Sequence, residues 1–151
     1  MQIEIDDLRG PEIAALLSEH LRDMLATSPP ESVHALDLDR LRQPEITFWT
    51  IRDGEHLAGC GALKQLDNRS GEIKSMRVAH GYRRQGVAAR LLQHIIAEAR
   101  ARQYVSLHLE TGSMAFFTPA HQLYARFGFQ RGGPFAGYTE DPNSIFMHLT
   151  L

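Results

Sequence analysis

The stretch from Glu72 to Arg102 limits what this chain can become more than any other. Glu72, Ile73, Lys74, Ser75, Met76, Arg77 and Val78 read as a strand, and a short polar turn leads to Arg83, Arg84, Gln85, Gly86, Val87 and Ala88. A helical pattern follows, with Ala88, Leu91, Leu92, Ile95, Ile96 and Ala99 on one face and Arg90, Gln93, Arg100 and Arg102 on or near the other. Strand, glycine turn and helix thus run on without a break. The first N–H groups of such a helix have no partner within it, and the aligned peptide dipoles place about half a positive charge there. That position suits an anion, most naturally a phosphate, and Gly86, having no Cβ, lets the anion approach the backbone. The bland alternative is a glycine that eases a turn beside two solvated arginines.

A chain of 151 residues with a 43% hydrophobic share is expected to form one domain, residues 1–151, with a core that needs neither disulfide nor metal. A net charge of -2 argues against general binding to nucleic acid or to a membrane surface, because no basic excess is available to neutralise phosphates. The single cysteine, Cys60, and the lack of an apolar signal segment point to the cytoplasm. No apolar run has the length to span a bilayer.

Along the chain, Ile3 and Ile5 alternate with polar residues as in a half-buried strand. Pro11 opens a helix whose apolar stripe is Ile13, Leu16, Leu17, His20, Leu21 and Met24, with His20 expected as a hydrogen-bonded boundary residue. Ser28 to Glu31 break it, and a shorter helical piece turns Val33, Leu36 and Leu41 inward before Pro44. Strands Ile46 to Arg52 and His56 to Leu66 are joined at Asp53 and Gly54, and a second turn at Asn68 to Gly71 enters the central strand. Phe48 and Trp49 read as core and sheet-face aromatics. Val105, Leu107 and Leu109 alternate in a further strand ending at Thr111 and Gly112. Pro119 begins a short helix closed by Gly128, and the tail supplies one or two more strands, with Ile145, Met147 and Leu149 alternating. The order predicts an α/β domain with a mixed, mostly antiparallel sheet and helices on both faces.

Arg83 to Ala88 fits the Arg/Gln-x-x-Gly-x-Gly/Ala signature, and in its setting after a strand and before a helix it resembles the GNAT superfamily of N-acetyltransferases. A second block, Ala120, Leu123, Tyr124, Gly128 and Phe129, is similar to that family's segment near the C-terminus. Ser28 to Leu36, Gly71 to Arg77 and Glu140 to Ser144 further resemble its small bacterial YsnE-like members. The resemblance implies a six- to seven-stranded sheet and acetyl-CoA as cosubstrate, with an amine acceptor that is a small molecule, an amino acid or a protein amine. It also makes a homodimer plausible. The coenzyme-binding residues it implies are Met76, Arg77, Val78, Arg83, Arg84, Gln85, Gly86, Val87, Ala88 and Ala89. Main-chain groups of Met76 and Val78 would bond the pantetheine arm, and the amides of Arg84, Gly86, Ala88 and Ala89 the pyrophosphate. Glu31, Ser32 and His34 border the implied acceptor site; Glu31 and Ser32 read equally well as helix caps. Arg77, His80, Tyr138 and Glu140 are open to the same two readings, acceptor site or surface.

Acetyl transfer to an amine requires the neutral amine, and a lysine-like group of pKa about 10.4 loses about 4.6 kcal/mol to reach it at pH 7. A carboxylate, acting directly or through water, relieves part of that. Glu72 lies eleven positions before Arg83, the spacing of the strand glutamate that serves as base in the lysine-acetylating branch of the superfamily. Glu110 is the second candidate, and a solvated strand-end charge is the alternative for Glu72, since a bulge would change the face it takes. Tyr124 matches the tyrosine that serves the leaving thiolate, and the amide of Met76 is the candidate oxyanion donor. Many members carry asparagine where this chain has Phe117, so a coenzyme contact is either lost or replaced by apolar packing. That departure keeps open a non-catalytic acyl-CoA-binding regulatory module. The eight histidines stand at least thirteen residues apart, so the sequence carries no local metal pair. Cys60, between Gly59 and Gly61 in a strand, reads as buried and inert.

Overall fold

The computed structural model describes residues 1–33 and 38–151, so the expectations for His34 and Leu36 lie outside the described residues. Strands β1 (Gln2–Ile5), β2 (Ile46–Asp53), β3 (His56–Asp67), β4 (Ser70–Val78), β5 (Ser106–Gly112), β6 (Gln130–Gly132) and β7 (Ser144–Thr150) form one sheet in the order β1-β2-β3-β4-β5-β7-β6. Among the described residues only the β4–β5 contact is parallel. It is reached through the long helix α3 (Val87–Ala101), a crossover of the kind a parallel pair requires. The mixed α/β sheet of the expected type is therefore present, with seven strands.

Alternation assigns the two faces. Trp49, Ile51, Leu63 and Ile73 pack with the stripe Leu91, Leu92, Ile95, Ile96 and Ala99 of α3. Phe48, Cys60 and Ala62 meet Ile13 and Leu16 of α1 (Pro11–Thr27) on the other face, with Leu41 of the short helix α2 (Leu38–Leu41). Each fully buried leucine or isoleucine contributes about 1.5–3 kcal/mol relative to exposure, so these two layers supply most of the drive to fold. Three residues expected inside are out. Ile5 is 73% exposed on the edge strand β1, Leu21 is 41% exposed on α1, and Val105 is 43% exposed just before β5. The β2–β3 turn sits one residue later than expected, on Gly54 and Glu55, with Asp53 opposite His56 and Gly54 at φ +60°. Gly71 lies inside β4 and not in the preceding turn.

One irregularity shapes the molecule's centre. Between the pairs Ala62–Lys74 and Cys60–Arg77, Ser75 and Met76 together oppose the single Gly61. Ser75 takes φ +58°, and a Cβ on Gly61 would come within 2.6 Å of the Met76 sulfur. This bulge reverses the in–out phase of β4, since one extra residue moves every later side chain to the other face. The buried Cys60 thiol donates to the Ser75 carbonyl at 3.3 Å across the bulge, and burial pushes that thiol up to about 12, as suits an inert core cysteine. Beyond Glu72 and His108 the parallel ladder between β4 and β5 ends, although both strands continue. The sheet is thus parted at its middle. Among the described residues no helix is long and apolar enough to cross a membrane.

Candidate active site

Two cavities meet where β4 and β5 part. A groove of about 410 Å³ is lined by Met76 and Val78 of β4, Arg83 and Arg84 of the glycine turn, Ala88 of α3, and side chains of the segment 116–124. A smaller cavity of about 110 Å³ lies deeper between the strands, among them Glu72, Lys74, Glu110 and Thr111. Five residues line both: His20, Met76, Phe117, Ala120 and Tyr124.

Gly86 caps α3 in the left-handed region, φ +77°, with open space where a Cβ would stand, and Arg84 before it is also left-handed at φ +64°. The first internal bond of α3 runs from Arg90 N–H to Gly86 C=O, and no side chain caps the helix. The amides of Val87, Ala88 and Ala89 are therefore left for an outside acceptor. Arg83, Arg84, Gln85 and Gly86 are exposed, while the Val87 side chain is buried in the core, which leaves only its backbone for a ligand. Gln85 folds back to donate to the Gly81 carbonyl at 3.1 Å.

Arg77 points the other way. The bulge turns its side chain toward α1, where its guanidinium donates to Glu19 and Asp23 at 2.7 Å each, with Nε left without a partner among the described residues. That bond holds the Asp23 carboxyl below the usual range, helped by the charges of Arg83 and His80. His80 is largely exposed and reaches Glu19 at 2.8 Å. Arg77 thus serves as a buried strut behind the groove.

In the inner cavity Glu72 is only 2% exposed, which rules out the solvated strand-end reading, and the bulge falls after it. Its Oε2 accepts from Lys74 Nζ at 3.0 Å and from the Tyr138 hydroxyl at 2.5 Å, and Lys74 also reaches Tyr138 at 2.9 Å. Burial, with the Glu72 charge beside it, pushes the Tyr138 phenol far up. Glu110 lines the same cavity from β5. Tyr124, on α4 (Thr118–Arg126), stacks edge-on with Phe129 at 5.6 Å, and its hydroxyl has no hydrogen-bond partner among the described residues. Burial raises this phenol well above its ordinary value, so it stays protonated at neutral pH.

Glu31 is exposed and borders neither cavity. Its neighbour Ser32 is buried in a 3-10 turn and neither caps a helix nor faces the cavities. It donates to Asp141 at 2.6 Å, clasping the α1–α2 connection to the β6–β7 loop. His20 was expected as a boundary residue with a hydrogen bond, but it lines the junction of the cavities without one among the described residues. Burial, with the Arg77 charge adding, pushes it down to about 4, so it is a neutral imidazole at physiological pH. Its place on an apolar stripe was the only signal the sequence offered. Tyr138 sits in a glycine-rich loop whose path no periodicity announces.

Where β4 and β5 part, the uncapped start of α3 thus borders one cavity, and two carboxylates, Glu72 and Glu110, line the other. Residues 13–129 match the acetyltransferase (GNAT) family, and the chain belongs to it. It is 60% identical to the uncharacterized N-acetyltransferase YsnE of Bacillus subtilis (strain 168), over 100% of both chains. It is 52% identical to the uncharacterized N-acetyltransferase YedL of Escherichia coli (strain K12), over 99% of this chain and 94% of that one. Among solved structures, a Klebsiella pneumoniae protein described as an acyl-CoA N-acyltransferase matches with a TM-score of 0.77 and 28% identity, covering 99% of this chain and 97% of the other. A GNAT family acetyltransferase from Elizabethkingia anophelis with acetyl-CoA bound shares the fold, with a TM-score of 0.72 and 21% identity over 99% of this chain and 97% of that one.

Proposed function

We propose that this N-acetyltransferase moves an acetyl group from acetyl-CoA to a primary amine by direct attack in a ternary complex. The observation that carries the reading is the meeting of the two cavities: the groove beneath the open amides of α3 suits the coenzyme, and the inner cavity suits the amine. Acetyl-CoA bound to the Elizabethkingia protein supports the choice of donor.

In this account the pyrophosphate takes the amides at the start of α3 together with Arg83 and Arg84. The pantetheine arm runs along the unpaired edge of β4 at Met76 and Val78, which the parting of β4 from β5 leaves without a strand neighbour on that side. The amine nitrogen attacks the thioester carbon, and the carbonyl electron pair moves onto oxygen, facing the Met76 amide. Collapse of this adduct breaks the C–S bond. The ammonium proton passes through water to Glu72 or Glu110, and the thiolate leaves beside the Tyr124 hydroxyl. A phenol raised by burial does not readily give its proton to a thiolate of conjugate-acid pKa about 8.5, so Tyr124 acts mainly by a hydrogen bond to the sulfur.

Titration of the ¹⁵N-labelled protein with acetyl-CoA, followed by amide resonances, tests the coenzyme assignment. The expected shifts are largest at Met76, Val78, Gly86, Ala88 and Ala89. Saturable shifts confined to the β1–β2 edge, or no shifts at millimolar coenzyme, would overturn it.

A further inference from the structure

We propose that Phe117, seated on Gly112, sets the length of the acyl group this protein accepts and restricts it to short chains. The inference rests on the coenzyme reading of the groove. The acyl carbon must be reachable from both cavities, so it lies at the wall they share, which His20, Met76, Phe117, Ala120 and Tyr124 form. Phe117 is a buried member of that wall seated directly on the backbone of β5. Its ring is buried and lies directly over Gly112, where an added Cβ would meet three ring carbons at 2.2, 2.4 and 2.9 Å. It also packs edge-on against Phe116 at 5.0 Å. Gly112 ends β5, so the ring is seated on a sheet strand and not on a free loop.

Two consequences follow from this packing. The ring fills the space above Gly112 that a longer acyl chain would enter, and the inner cavity beyond it, about 110 Å³, must still admit the amine. Phe117 cannot give way toward Gly112, because backbone already lies at contact distance there. At the wall between the cavities this chain therefore has an apolar stop.

Calorimetric titration tests this without an acceptor amine. Free coenzyme A, acetyl-CoA, butyryl-CoA and hexanoyl-CoA are titrated into the wild-type protein, Phe117→Ala and Phe117→Leu, each checked for folding by circular dichroism. The wild type is expected to bind hexanoyl-CoA at least tenfold more weakly than acetyl-CoA. In Phe117→Ala that ratio is expected to rise at least tenfold in favour of hexanoyl-CoA, since each accommodated methylene adds favourable burial. Phe117→Leu gives an intermediate ratio and serves if the alanine variant does not fold. Equal binding of the acyl-CoAs by the wild type, or an unchanged ratio in both variants, overturns the proposal while the coenzyme groove stands. Failure of every protein to bind even free coenzyme A overturns the groove reading, and this inference with it.

Discussion

Tyr124→Phe is expected to lower kcat for acetyl transfer about 30-fold and to leave the acetyl-CoA dissociation constant within about twofold of wild type. The substitution removes one hydroxyl and keeps the ring, so the stacking of residue 124 on Phe129 and its place in the wall of both cavities persist. The hydroxyl has no protein partner among the described residues in the absence of substrate, and therefore its loss leaves no donor or acceptor stranded. Its partner in the account is the thiolate that forms only as the C–S bond breaks. A hydrogen bond to a charged group is worth about 1.5–3 kcal/mol, and about 2 kcal/mol at the transition state corresponds to a factor of about 30 in rate. The effect belongs in turnover and not in binding, because the charge does not exist in the bound thioester. Equal turnover in variant and wild type would remove Tyr124 from the reaction and leave it a core residue of α4.

Glu72→Ala is expected to cost about 3–5 kcal/mol of folding stability, the size found when one partner of a buried ion pair is removed. The side chains of Glu72 and Lys74 are 3% and 9% exposed, so the variant strands a buried ammonium against the Tyr138 hydroxyl alone. Urea denaturation followed by tryptophan fluorescence of Trp49 measures it. The double variant Glu72→Ala/Lys74→Met removes both charges and is expected to recover most of that loss. The same pair separates structure from chemistry. If the double variant is stable yet slow in acetyl transfer, Glu72 takes part in deprotonating the amine. If it regains both stability and turnover, Glu72 is a structural anion and Glu110 is left as the proton acceptor. A single-variant cost below about 1 kcal/mol would contradict the buried-pair description.

The contrast between these two residues reflects what a sequence can express. Helix α3 was legible because its stripe from Ala88 to Ala99 repeats with the helix itself, and the glycine before it occupies a left-handed cap that other residues reach only under strain. The strands on either side of it were equally plain. The bulge at Ser75 and Met76 was not, since it depends on Gly61 in the neighbouring strand making room for a methionine sulfur. With it went the direction of Arg77, whose partners Glu19 and Asp23 lie on a helix more than fifty residues earlier. Glu72 was found by its spacing to Arg83, but its pairing with Tyr138 spans 66 residues and rests on a loop without period. His20 could be seen on its stripe, yet only tertiary packing turns that stripe toward the junction of two cavities. Local pattern revealed the elements and the groove, while contacts distant in sequence made the inner cavity.

The central claim is that the two cavities bring acetyl-CoA and an amine together for transfer. The most direct test is acetyl-CoA-dependent release of free thiol by the purified protein, run against a panel of amino acids, polyamines, aminoglycosides, and peptides offering lysine or N-terminal amines. The account predicts release well above the hydrolysis background with at least one of these acceptor classes. Release that never exceeds background with any of them, from a protein that binds acetyl-CoA, would contradict it.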